Sequence, residues 1–106
     1  MIEIEPLDYL YPLILNRGLV KALGYHATAV LQTICEEFWH DPIKQRTLYF
    51  TVSIKHIMNS TYLSADELID AIDKLKAEGI ITLNPDNPVD DDGNFQISIN
   101  EEAFEI

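Results

Sequence analysis

Cationic side chains are scarce in this chain. Its 106 residues include 7 lysines and arginines against 18 aspartates and glutamates, a formal net charge of −11. A protein so charged repels a nucleic-acid backbone or an anionic membrane unless its few cations gather on one face. Their distribution is uneven: residues 1–55 carry 6 acidic and 5 basic side chains, residues 56–106 carry 12 and 2, and no Lys or Arg follows Lys76. Cysteine is nearly missing too. Cys35 alone can neither close an internal disulfide nor hold a metal by itself, which excludes the disulfide-stapled secreted folds. No run of about 18 apolar residues occurs. The acidic start Met1-Ile2-Glu3-Ile4-Glu5 has the wrong charge for a signal peptide, so a soluble, cytoplasmic protein is expected. Repeats, Ser/Gly linkers and low-complexity tracts are also lacking. What remains is material for one domain, with 47% hydrophobic residues to fill a core.

Hydrophobic periodicity and capping residues divide that domain. Residues 1–15 read as an N-terminal arm, because the apolar stretch from Tyr9 to Leu15 contains Pro12 and cannot stand as a free helix. Asn16 is a suitable N-cap for a short helix from Arg17 to Leu23, stopped by Gly24. From Ala27 a longer helix follows, with Val30, Leu31, Ile34, Cys35 and Phe38 on one stripe, Gln32, Glu36 and Glu37 turned away, and Asp41-Pro42 as its stop. The spacing leaves residues 42–47 as a loop holding the basic run Lys44-Gln45-Arg46, then predicts a strand at 48–52. Ser53 caps a brief helix through Met58, and residues 59–61 turn. Ser64-Ala65-Asp66-Glu67 is a capping box opening a helix over 65–78, with Leu68, Ile69, Ile72 and Leu75 as its buried stripe. Two strands, 80–84 and 95–100, form a hairpin with an acidic tip.

A short helix, a tight turn, a longer helix and a two-stranded ribbon make the layout of a winged helix-turn-helix. The expected fold is therefore α+β, mainly α. The winged-helix domain spans residues 16–106, and the 48–52 strand joins the hairpin in a three-stranded sheet.

Several stretches carry a likeness: Tyr11-Pro12-Leu13-Ile14-Leu15-Asn16, Leu23-Gly24-Tyr25, Ala29-Val30-Leu31-Gln32, Tyr49-Phe50-Thr51, the Ser64 capping box, Lys76-Ala77-Glu78-Gly79-Ile80-Ile81 and the Asp92-Gly93 turn. Over roughly residues 11–100 the chain resembles the N-terminal winged-helix domain of the DnaD family and of phage replisome organisers. The resemblance implies a domain that self-associates, as a homodimer or larger, and docks to replication-initiation proteins. Much of that family's DNA binding lies in a separate C-terminal domain, and no counterpart of that domain is expected here.

Charge placement bears on the same question independently. The 65–78 helix carries Asp66, Glu67, Asp70, Asp73 and Glu78 against Lys74 and Lys76, and the hairpin tip adds Asp86, Asp90, Asp91 and Asp92. Specific DNA binders neutralise about 6 to 10 phosphates, and carboxylates cannot make those positioning contacts. Weak or no direct DNA binding is expected. Asp66, Glu67, Asp70, Asp73, Asp90, Asp91 and Asp92 instead form a candidate acidic docking face for a basic protein surface. Taken one by one, each of these charges would also serve as ordinary solvated surface.

Arg17 and Lys21, one turn apart, are a candidate nucleic-acid contact, which Lys44, Arg46 and Lys55 could join only if their loop folds back toward the first helix. Tyr9, Leu10, Tyr11, Leu13 and Leu15 either close over the domain's own core or form a self-association surface. No catalytic constellation is present, so no enzyme activity, small-molecule substrate, metal or cofactor is expected. His26, His40 and His56 lack ligand spacing, Cys35 falls on the buried stripe, and the Asp90-Asp91-Asp92-Gly93-Asn94 tip lacks the closing Glu of a calcium loop. Two other readings stay open: a DNA-binding regulator using the first half of the fold, and an acidic inhibitor that imitates nucleic acid.

Overall fold

The computed structural model describes residues 15–100 and Glu102. Along these residues run α1 (Arg17–Leu23), α2 (Tyr25–His40), α3 (Pro42–Arg46), β1 (Phe50–Val52), α4 (Ile54–Thr61), α5 (Ala65–Ala77), β2 (Ile81–Leu83) and β3 (Phe95–Ile99). The result is a mainly helical α+β architecture with one small antiparallel sheet. The arm residues Tyr9, Leu10, Tyr11 and Leu13 lie outside the described residues, and Leu15 is half-buried.

Local chemistry sets most helix ends. The Asn16 side chain accepts from the Leu19 amide, starting α1, while the Asn16 amide donates to Gln32 Oε1 over 2.7 Å and pins that start against the middle of α2. Gly24, at φ +86°, is both the last cap of α1 and the first of α2, so the chain reverses with no intervening loop. Ser64 and Glu67 form the capping box reciprocally: Ser64 Oγ accepts from the Glu67 amide and Glu67 Oε1 accepts from the Ser64 amide.

Helix α2 is the central element. It is buried from Ala27 to Leu31 and from Thr33 to Cys35, and it packs most extensively against α5 while also touching α1, α3 and α4. Burial on nearly all sides exceeds the single stripe read from the sequence. Gln32 and Glu37, expected to face away, are half-buried because α1, α3 and α4 close over them; Glu36 is exposed. Val30, Leu31, Ile34, Ile57, Leu75 and Ile97 are completely enclosed. Burial of each contributes about 2 kcal/mol.

The sheet runs β1-β3-β2, with β3 in the middle. Phe50, Thr51 and Val52 face Ile97, Gln96 and Phe95, and Ile81, Thr82 and Leu83 face Ile99, Ser98 and Ile97. The expected pairing of the isolated strand with the hairpin is thus present. Ile97 points into the core, while Gln96 Nε2 donates to Thr51 Oγ1 over 2.7 Å on the outer side.

Four local expectations are corrected. Residues 42–46 are helical rather than a loop, since Asp41 caps them by accepting from the Ile43 amide and Pro42 occupies the first turn, where its missing N–H costs nothing. Helix α4 continues to Thr61, so the turn falls at residues 62–64 with Tyr62 left-handed at φ +60°. The first strand begins at Phe50, two residues late, because residues 47–49 are bent. Ile69 is 51% exposed, and Ala71 stands in the buried stripe of α5 with Leu68, Ile72 and Leu75.

Thr28 is fully enclosed, and its hydroxyl has no hydrogen-bond partner among the described residues. A buried hydroxyl left unpaired costs about 1–3 kcal/mol. Thr28→Val, which keeps the shape and removes the polar atom, is expected to raise unfolding free energy in urea by about 1 kcal/mol. A loss of similar size would show that the hydroxyl is paired.

Candidate functional site

Packing decides which charges α5 presents. With Leu68, Ala71, Ile72 and Leu75 turned inward, Asp66, Asp70 and Asp73 come to the opposite side at i, i+4 and i+7, and all three are exposed. Asp66 and Glu67 also lie in the first turn, where the positive end of the helix dipole favours carboxylates. Along one flank, Lys74 pairs with Glu78 over 3.5 Å. Lys76 lies on the other flank and is exposed. The outward line itself contains no cation.

Glu67 is less available than its neighbours. Besides the capping box, its Oε2 lies 3.4 Å from His26 Nε2 at the start of α2. The hydrogen bond from the Ser64 amide, then that with the Ser64 side chain, hold its carboxyl below the usual carboxylate range; desolvation opposes this and His26 adds to it.

The hairpin tip divides its aspartates in the same way. Asp90 is half-buried and structural: its Oδ1 accepts from the Asp92 amide at 3.0 Å and the Asn94 amide at 2.9 Å, closing a tight turn with Gly93 at φ +82°. Asp91 and Asp92 are exposed, as is Asp86. Of the seven candidate docking carboxylates, Asp66, Asp70, Asp73, Asp91 and Asp92 therefore have no hydrogen bond or ion pair through their side chains among the described residues.

The candidate cations behave differently. Lys44 is drawn to Glu37 at 3.3 Å and lies 5.9 Å from the centre of the Phe50 ring. Glu37 also reaches His56 Nε2 at 3.1 Å, so one half-buried carboxylate ties α2, α3 and α4 together. Arg17 and Lys21 on α1, Arg46 at the end of α3 and Lys55 on α4 are exposed. The basic run does not fold back on α1 as a loop: it is a helix packed on α2, with one of its two cations occupied.

Sequence reasoning missed an apolar surface. Trp39, Ile43 and Leu48 are exposed near the end of α2 and on either side of the basic run, and Ile69 and Val89 are exposed near the acidic face. The α5 stripe centres on Leu68 and Leu75, seven residues apart, which puts Ile69 past its edge; that signal was available in the spacing. Among the described residues, no group of three or more His, Cys, Asp or Glu is placed to hold a metal ion, and no helix is long and apolar enough to cross a membrane. Cys35 is buried and forms no disulfide. Compared with known proteins, the chain matches no family model, no curated protein and no solved structure.

The lowered Glu67 carboxyl fixes the sign of one pH effect. Its contribution to stability is present above the ordinary value of 4.5 and is lost as pH falls through its lowered value. Glu67→Gln keeps an acceptor for the Ser64 amide but does not titrate. Acid titration followed by amide exchange at the start of α5 is expected to show a shallower loss of protection below pH 4.5 in that variant; identical acid limbs would contradict the assignment.

Proposed function

We propose that this chain is a winged-helix interaction module: α4, the turn at residues 62–64 and α5 form the helix-turn-helix, and the β2–β3 hairpin is the wing. It acts without enzymatic chemistry, in the cytoplasm, by docking to a basic protein surface and by self-association. Replication initiation is the setting that its likeness to the DnaD N-terminal domain implies. The observation that carries the docking reading is the exposed line of Asp66, Asp70 and Asp73 on the helix such folds ordinarily lay in the major groove.

Magnitudes favour a protein over DNA. A carboxylate about 7 Å from a phosphate is repelled by about 0.6 kcal/mol even in water, and each aspartate meets more than one phosphate. Three outward aspartates, with Asp91 and Asp92 at the tip, oppose docking by several kcal/mol in sum. They also forgo the counterion release that supplies most non-specific affinity. Against a surface rich in Lys and Arg the same charges steer association. Self-association is assigned to the apolar arm, Tyr9, Leu10, Tyr11, Leu13 and Leu15, whose two tyrosines suit a partly wet contact.

Two measurements test this. Light scattering at tens of micromolar should give a dimer or larger species that Leu10→Ser with Leu13→Ser reduces to a monomer; a wild-type monomer removes the self-association claim. Gel shift at low salt should show little or no duplex binding. Tight binding abolished by Arg17→Glu or Arg46→Glu would instead favour a DNA-binding regulator.

A further inference from the structure

Between α5 and the hairpin lies a cleft of about 470 Å³. Its lining is apolar apart from Asp73, and two of its large apolar residues, Ile69 at 51% and Val89 at 43%, stay open to solvent. Leu83 and Phe95 form the sheet side, and Val89 is held there by a bridge to Phe95. The α5 wall runs from Ala65 to Asp73, about 12 Å at 1.5 Å per residue. That length matches apolar anchors at i and i+7 on a helix laid alongside, about 10.5 Å apart.

The rim has a sign. Asp66 and Asp73 flank Ile69 at i−3 and i+4, and Asp86, Asp91 and Asp92 lie on the hairpin segment that carries Val89; all five are exposed. Two nearby cations oppose them: Lys55, next to Ile54 of the lining, and Lys76, one turn beyond Asp73. This balance disfavours occupants drawn from the chain itself. Residues 1–14 contain Glu3, Glu5 and Asp8 and no Lys or Arg, and a second copy brings a net charge of −11 with its basic run half spent on Glu37.

We propose that the cleft receives a basic amphipathic helix of a partner protein. Its apolar face is seated between Ile69 and Val89, and its Lys and Arg flanks lie against Asp66, Asp73 and the hairpin tip. This rests on the docking reading above and adds that apolar anchoring, beyond charge, selects the partner.

The test titrates the isotope-labelled full chain with a synthetic Leu/Lys helix bearing leucines at i, i+3, i+4 and i+7, followed by NMR. Shifts are expected at Ile69, Leu83, Val89 and Phe95, with about tenfold weaker binding to Ile69→Ser/Val89→Ser, whose exposed positions spare the core, and to Asp66→Asn/Asp73→Asn. Loss in the Asn variant with no change in the Ser variant overturns the cleft and leaves the acidic docking face standing. Equal binding of a peptide with Glu in place of Lys overturns the choice of a basic partner. No binding of the Lys peptide overturns both. A wild-type assembly that Ile69→Ser/Val89→Ser makes monomeric would assign the cleft to a second copy, contradicting the proposal.

Discussion

The contact of α5 with α2 governs what this molecule shows to its surroundings. Leu68, Ala71, Ile72 and Leu75 are buried in the core built around α2, and the α2–α5 contact is the most extensive of any two elements described. Once those four are inside, the 3.6-residue period turns Asp66, Asp70 and Asp73 outward without further specification. Hydrophobic burial, about 2 kcal/mol for each leucine or isoleucine, thus fixes the direction of three charges whose own interactions with each other are weakly unfavourable. The acidic face follows from core packing, and what it can bind follows from the face.

The same packing explains why some carboxylates stay available and others do not. Glu67 is held by the Ser64 cap and His26, Asp90 by amides of its own turn, and Glu37 by Lys44 and His56. These three maintain the fold: one starts α5, one closes the hairpin tip and one joins three helices around the end of α2. Among the described residues, most of the carboxylates left over, Asp66, Asp70, Asp73, Asp86, Asp91 and Asp92, lie on α5 and the hairpin. Next to them, Ile69 and Val89 bring apolar surface to a rim that is otherwise charged, the combination of anchor and surround found at selective protein contacts.

Much of this was legible in the sequence where the signal is local. Asn16, Gly24, and Ser64 with Glu67 announce helix ends through their own hydrogen bonds or backbone angles, and all three mark ends that the structure contains. The three-stranded pairing was legible too, because a single short strand leaves its backbone groups unpaired and must find a partner elsewhere. Asp41-Pro42 was ambiguous: the pair that ends α2 also starts α3, and reading only the stop hid a helix. What resisted reading was tertiary. The commitment of Lys44 to Glu37 depends on α3 folding onto α2, which no local signal in residues 42–47 announces.

If charge alone keeps this frame from DNA, reversing it should open the way. The decisive measurement is duplex affinity at low salt for the Asp66→Lys/Asp70→Lys/Asp73→Lys variant beside the wild type. The expected result is a folded variant that binds duplex at least about a hundredfold more tightly, with affinity falling steeply as salt rises. Tight, salt-sensitive DNA binding by the wild type, unchanged by the triple substitution, would contradict the assignment of the acidic face to a protein partner.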